Sequence, residues 1–95
     1  MKFVHLTEAS DAEHYNNFAY YLQQIGANNE AIFLLEKIIV KYPKRTVAYI
    51  NLGDAYWSKG EFDKAKEVYQ TYISQMKAKG IESKIPKQVL DRTDR

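Results

Sequence analysis

The sequence predicts an all-α protein built from two tandem helix-turn-helix hairpins. Two observations carry this. Apolar residues recur three and four apart, first as Tyr15, Phe18, Ala19 and Leu22, then as Ile32, Leu35, Ile38 and Ile39. That spacing lays one apolar stripe along a helix. The chain also repeats itself. Shifted by 34 residues, Tyr15 falls on Tyr49, Asn17 on Asn51, Gly26 on Gly60, Ala31 on Ala65 and Ile39 on Ile73. Under the same shift Phe18 meets Leu52, Ala19 meets Gly53 and Leu35 meets Tyr69.

Each element has a local signature. Ser10 followed by Glu13 is a capping-box pattern, so the first helix is expected to start near Asp11, with Gly26 ending it. Asn28 or Asn29 is expected to cap a second helix that runs to about Tyr42, ahead of Pro43. Thr46 is expected to cap a third, ended near Lys59 and Gly60, and Glu61 or Phe62 opens a fourth that Gly80 closes. Such short connections imply antiparallel neighbours. Ala19 and Gly53 are small where the two helices of a hairpin must approach, and Ala31 and Ala65 are small on the opposing helices. Tyr15, Phe18, Leu22, Leu35 and Ile38 are expected to fill the first hairpin. Tyr49, Leu52, Tyr56, Phe62, Tyr69, Tyr72 and Ile73 are expected to fill the second. A third repeat in register would place Pro86 inside a helix, where it removes a hydrogen bond and clashes. Pro86 instead suits the first turn of a short helix over 86–92 with Ile85, Val89 and Leu90 as its apolar side; an unstructured tail is the alternative. Phe3, Val4 and Leu6 either pack on the first hairpin or belong to an upstream element.

The period and its residues resemble the tetratricopeptide repeat (TPR). The second copy carries the pattern as Tyr49, Leu52-Gly53, Tyr56, Gly60, Ala65 and Tyr69, with Lys77 where a closing proline is usual. The first copy carries Tyr15, Phe18, Ala19, Leu22, Gly26, Ala31, Leu35 and the closing Pro43. The resemblance covers residues 12–79. It implies an N-terminal extension over 1–10, TPR units over 11–45 and 46–79, and a basic tail or capping helix over 80–95.

The resemblance further implies a protein–protein interaction module, in which the first helices of successive hairpins line a concave groove that takes a peptide or protein segment. Mapped onto this chain, the first hairpin offers Glu13, Asn16, Asn17, Tyr20, Gln23 and Gln24. The second offers Val47, Ile50, Asn51, Asp54, Trp57 and Ser58, with Lys44 and Arg45 at the rim between them. Tyr20 and Trp57 are large aromatics off the core stripe, a type enriched in binding hot spots. The Asn and Gln amides suit an extended peptide backbone. Trp57 has a second reading, as a cover for its own hairpin or for the tail. Some relatives clamp a ligand's terminal carboxylate. Asn51 matches that arrangement, but Asn16 and Tyr20 stand where Lys and Asn are needed, and the third hairpin is missing.

Composition narrows the function classes. The 95 residues are 45% hydrophobic and 27% charged, too apolar for a disordered tail. The chain lacks Cys, which excludes disulfides and Cys-based zinc sites. Its longest apolar runs, such as Ala31–Leu35, fall far short of the roughly 18 residues of a membrane span. A cytoplasmic protein, or a piece of a longer one, is expected, with no membrane partner. Basic residues gather in 77–95, but acids interrupt them and no aromatic residue is there for base stacking, so a nucleic-acid partner is disfavoured. No phosphate loop or nucleophile elbow is present, and His5 and His14 are not at a metal-ligand spacing. No enzyme, metal or cofactor is therefore expected. Two repeats bury little surface, so self-assembly as a homodimer through an exposed hairpin face is the alternative to partner binding.

Overall fold

Left-handed glycines set the hairpins. Gly26 and Gly60 both take φ of +87°, a region open to glycine and costly for residues with a Cβ. At each, the glycine N–H and the next N–H turn back onto the helix just ended: Gly26 to the Gln23 carbonyl and Ala27 to that of Leu22, Gly60 to Trp57 and Glu61 to Tyr56. This paired arrangement satisfies the orphan carbonyls and reverses the chain. Gly80 repeats the same bonds, to Lys77 and through Ile81 to Met76.

The structure is a computed structural model that describes residues 9–94. Its elements are α1 (Ala9–Gln24), α2 (Asn28–Lys41), α3 (Thr46–Lys59), α4 (Phe62–Ala78), a 3₁₀ turn (Glu82–Lys84) and α5 (Lys87–Thr93). Consecutive helices pack on one another from α1 to α4, α1 also reaches α3, and the 3₁₀ turn and α5 lie on α4. This is the all-α arrangement of two hairpins with a short C-terminal helix.

The core follows the small-residue positions. Ala19, Ala31 and Ala65 have no exposed surface, and Leu35, Ile38 and Tyr69 fill the space they leave. The two hairpins solve the same crossing with different volumes. The first has Ala19 and Leu35; the second has Gly53 and Tyr69. A Cβ on Gly53 would sit 2.5 Å from Tyr69 Cε1, so the larger ring requires the smaller partner.

Several local expectations are corrected. Ser10 lies inside α1, so it is not the helix cap. α2 starts with Ala27 in the cap position and no side-chain cap, because the Gly26 turn delivers the chain straight into the helix. Arg45, not Thr46, precedes α3; the Thr46 hydroxyl instead donates to Gln75 Oε1 at 2.6 Å on α4. Phe18 is about half exposed rather than core. On α1 the inward stripe is Ala12, Asn16 and Ala19, and the helical rotation of 3.6 residues per turn carries Phe18 well away from it. Phe62 is also half exposed; its ring lies against Trp57, tilted with centroids 4.6 Å apart, rather than in the hairpin core. The C-terminal segment does form a helix. Pro86 caps it, Ile85 and Val89 are buried, and Leu90 is exposed. The roles given to Phe3, Val4 and Leu6, and most of the expected 1–10 extension, lie outside the described residues.

Gly53→Ala is expected to lower the unfolding free energy by about 1–3 kcal/mol in urea denaturation, by overpacking. The pair Gly53→Ala/Tyr69→Leu copies the first hairpin's volumes. It is expected to be destabilised by less than the sum of its single variants, a coupling that a double-mutant cycle measures.

Candidate functional site

α1 has three faces, which the helical spacing separates. Ala12, Asn16 and Ala19 turn inward with half-buried Tyr15 and Leu22. Glu13, Asn17, Tyr20 and Gln24, spaced four, three and four apart, form an exposed, mostly polar strip. His14, Phe18, Tyr21 and Ile25, with the same spacing, form a second exposed strip that is mainly apolar.

The expected groove residues divide among different surroundings. Asn16 is 2% exposed and Asn51 8% exposed, so both amides lie within the helix packing. The Asn16 Oδ1 has no hydrogen-bond partner there. Asn17, Tyr20 and Gln24 are exposed. Gln23 Nε2 donates to the Ser58 hydroxyl at 3.1 Å, linking the ends of α1 and α3, and Gln24 Nε2 donates to Gln23 Oε1 at 2.8 Å. These residues gather at one end of the α1–α3 face. Lys44, Arg45 and Ile50 gather elsewhere, in a cleft of about 760 Å³ between the α2–α3 turn, the start of α3 and the end of α4.

Asp54 and Trp57 are committed internally. The Tyr69 hydroxyl donates to Asp54 Oδ1. Arg92 Nη1, from α5, donates to the same oxygen at 3.2 Å and to the Tyr69 oxygen at 2.7 Å. The Arg92 guanidinium also lies over the Trp57 ring, 4.8 Å from its centroid. Trp57 thus packs against both the start of α4 and the tail, its second reading from sequence. Burial raises the Asp54 carboxyl above its usual range, against the Tyr69 hydroxyl and the Arg92 charge, which both lower it. Sequence reasoning did not find Arg92, because its partners lie in two other helices and no local spacing links them.

Among the described residues, no cluster of His, Asp or Glu could hold a metal ion, and no helix is long and apolar enough to cross a membrane. The tetratricopeptide repeat family model matches residues 22–78, more than half of the sequence. The chain belongs to the tetratricopeptide repeat family. Proteins of this TPR family are typically non-catalytic and act through protein partners. No curated protein and no solved structure matches the chain. The TPR hairpins explain why small residues and turn glycines fall where they do, and they leave the exposed strips of α1 and the α3–α4 cleft as the surfaces to be accounted for.

Three buried phenols set an alkaline limit on this fold. Burial raises Tyr69, with Asp54 adding to it, and burial raises Tyr56, whose hydroxyl donates to Glu36 Oε2 at 2.6 Å. Burial and Asp54 raise Tyr72 as well. In the unfolded chain these groups lose protons near the ordinary phenol value of about 10, whereas the folded chain holds them to higher pH. The unfolded state therefore binds fewer protons in that window, and stability falls as pH rises through it. Denaturant unfolding across alkaline pH is expected to show this fall, with a shallower slope in Tyr56→Phe.

Proposed function

We propose that this chain is a non-catalytic protein-interaction module that takes a peptide or protein segment along the face shared by α1 and α3. One observation carries the reading. Tyr20 and Asn17 are exposed on the polar strip of α1, and neither side chain hydrogen-bonds to a described residue. An exposed aromatic with a hydroxyl beside an exposed amide supplies both apolar area and backbone-directed hydrogen bonds, the chemistry an extended segment needs. Glu13 and Gln24 continue the strip, and Ser58 meets it from α3. Asn16, Asn51 and Trp57 enter this reading as supports behind the face, because they are buried or packed internally.

Peptides selected from a random displayed library against the full chain test this. They are expected to lose about tenfold or more in affinity for Tyr20→Ala/Asn17→Ala, the scale of a lost hot spot. They are expected to keep their affinity for Lys37→Ala on α2. Unchanged binding to Tyr20→Ala/Asn17→Ala sinks the assignment of this face.

A second reading is favoured by the apolar strip of α1. Tyr21 is 70% exposed and Ile25 72% exposed, and half-exposed Phe18 completes the stripe. Contiguous exposed apolar surface of this kind marks association sites. Here it suits a second copy of the chain about a two-fold axis. Sedimentation equilibrium is expected to give a dimer that Ile25→Glu converts to monomer without loss of melting temperature. A wild-type mass equal to the monomer throughout the micromolar range removes this reading.

A further inference from the structure

The cleft between the α2–α3 turn, the start of α3 and the end of α4 is strongly one-sided in charge. Its rim carries Lys41, Lys44, Arg45 and Lys79, and among the described residues no carboxylate lines it. Its floor is apolar: Val47 and Ile50 from α3, with Tyr72 and Met76 from α4. None of the four cations forms an ion pair with a described residue. The Arg45 Nε is buried without a hydrogen-bond partner.

Fold stability accounts for only half of this charge. Lys41 and Lys79 stand at the C-terminal ends of α2 and α4, where the helix dipole favours cations. Lys44 and Arg45 stand just ahead of the N-terminus of α3, where the dipole disfavours them. An anion in the cleft offsets that repulsion. The floor asks for more than an anion. Val47 is about 40% exposed and lies beside Ile50, so apolar surface is open between the charges.

We propose that this cleft takes an acidic protein segment that places an apolar side chain on the Val47–Ile50–Met76 floor and flanking carboxylates on Lys44, Arg45 and Lys79. The proposal rests on reading the chain as an interaction module, but not on the polar strip of α1. The turn is already fixed for the task. Gln75 Nε2 and the Tyr49 hydroxyl both donate to the Pro43 carbonyl, at 2.9 and 2.6 Å, so the basic residues that follow Pro43 leave a constrained backbone.

Fluorescence anisotropy with the full chain tests this, using a labelled, end-blocked peptide of alternating Glu and Leu. Binding is expected at low salt and weakens steeply as salt rises. Lys44→Gln and Lys79→Gln are each expected to weaken it about tenfold, the scale of a charge-assisted hydrogen bond. Arg45→Gln is expected to do the same; should it alter the start of α3, the two lysine variants, which lie on separate elements, decide the matter. A Gln and Leu peptide is expected not to bind, and polyglutamate is expected to bind at least tenfold more weakly. Tyr20→Ala/Asn17→Ala is expected to bind the acidic peptide normally, so a failure of the polar-strip reading is told apart from a failure here. Equal binding by the lysine variants, or by polyglutamate, overturns the proposal. So does displacement of the peptide by single-stranded DNA, or by phosphatidylserine vesicles, as readily as by unlabelled peptide.

Discussion

A phenol with no exposed surface has to find a hydrogen-bond partner inside the protein, and Tyr69 is such a phenol. Leaving its hydroxyl unbonded would cost about 1–3 kcal/mol. The demand arises because the second hairpin fills its crossing with a tyrosine against Gly53, where the first uses Leu35 against Ala19. Asp54, on α3, accepts the hydrogen bond from the hydroxyl, and partial burial of that carboxylate favours a counter-charge beside it. Arg92 supplies it from α5, with bonds to both partners. One oversized core residue thus fixes the position of the C-terminal helix. Once α5 is held there, Ile85 and Val89 are buried against the second hairpin, which covers apolar surface that a further repeat would otherwise cover.

The same network shapes the exposed face. Asp54 and Trp57 fall on the stripe of α3 expected to meet a ligand, yet Arg92 engages both. Asp54 and Trp57 are therefore already engaged, though each stays partly exposed, and the chemistry without an internal partner lies toward the two ends of the face. One end is polar and uncharged around Tyr20, Gln24 and Ser58. The other is cationic and apolar around Lys44, Arg45 and Ile50. A ligand that uses both ends must bridge a section in which Trp57 contributes surface but is already packed against Phe62.

The fold was legible because repetition doubles weak signals. Gly26 alone suggests a turn; Gly26 and Gly60 with Ala31 and Ala65 at one period specify a hairpin and its crossing. What stayed hidden was the rotation of each helix about its own axis. Tyr15, Phe18, Ala19 and Leu22 fit a helical stripe whether Phe18 faces in or out, and Asn16, a polar residue, takes the inward position that apolar spacing could not assign to it. The caps were misread for a related reason. Asn28 and Thr46 are cap-forming types, but the Gly26 turn makes one unnecessary and Gln75, 29 residues away, engages the other. The tie from Trp57 to the tail was hidden because nothing near Trp57 in sequence points to Arg92.

The two ends of the face are also matched in scale to a short chain. From Val47 to Ser58 the α3 helix rises about 16 Å at 1.5 Å per residue. About five residues of extended chain, at 3.3 Å each, cover that distance. In the binding proposed above, a segment this short would lay an acidic, apolar portion in the basic cleft and present backbone amides to Tyr20 and Gln24. Both ends sit on backbone that is already ordered, one on α1 and one on the Pro43 turn held by Gln75 and Tyr49. The ordering cost of binding then falls mainly on the ligand. Specificity would come from the order of its residues, because a segment threaded in the opposite sense puts its carboxylates beside the uncharged amides of Gln23 and Gln24 rather than beside Lys44 and Arg45.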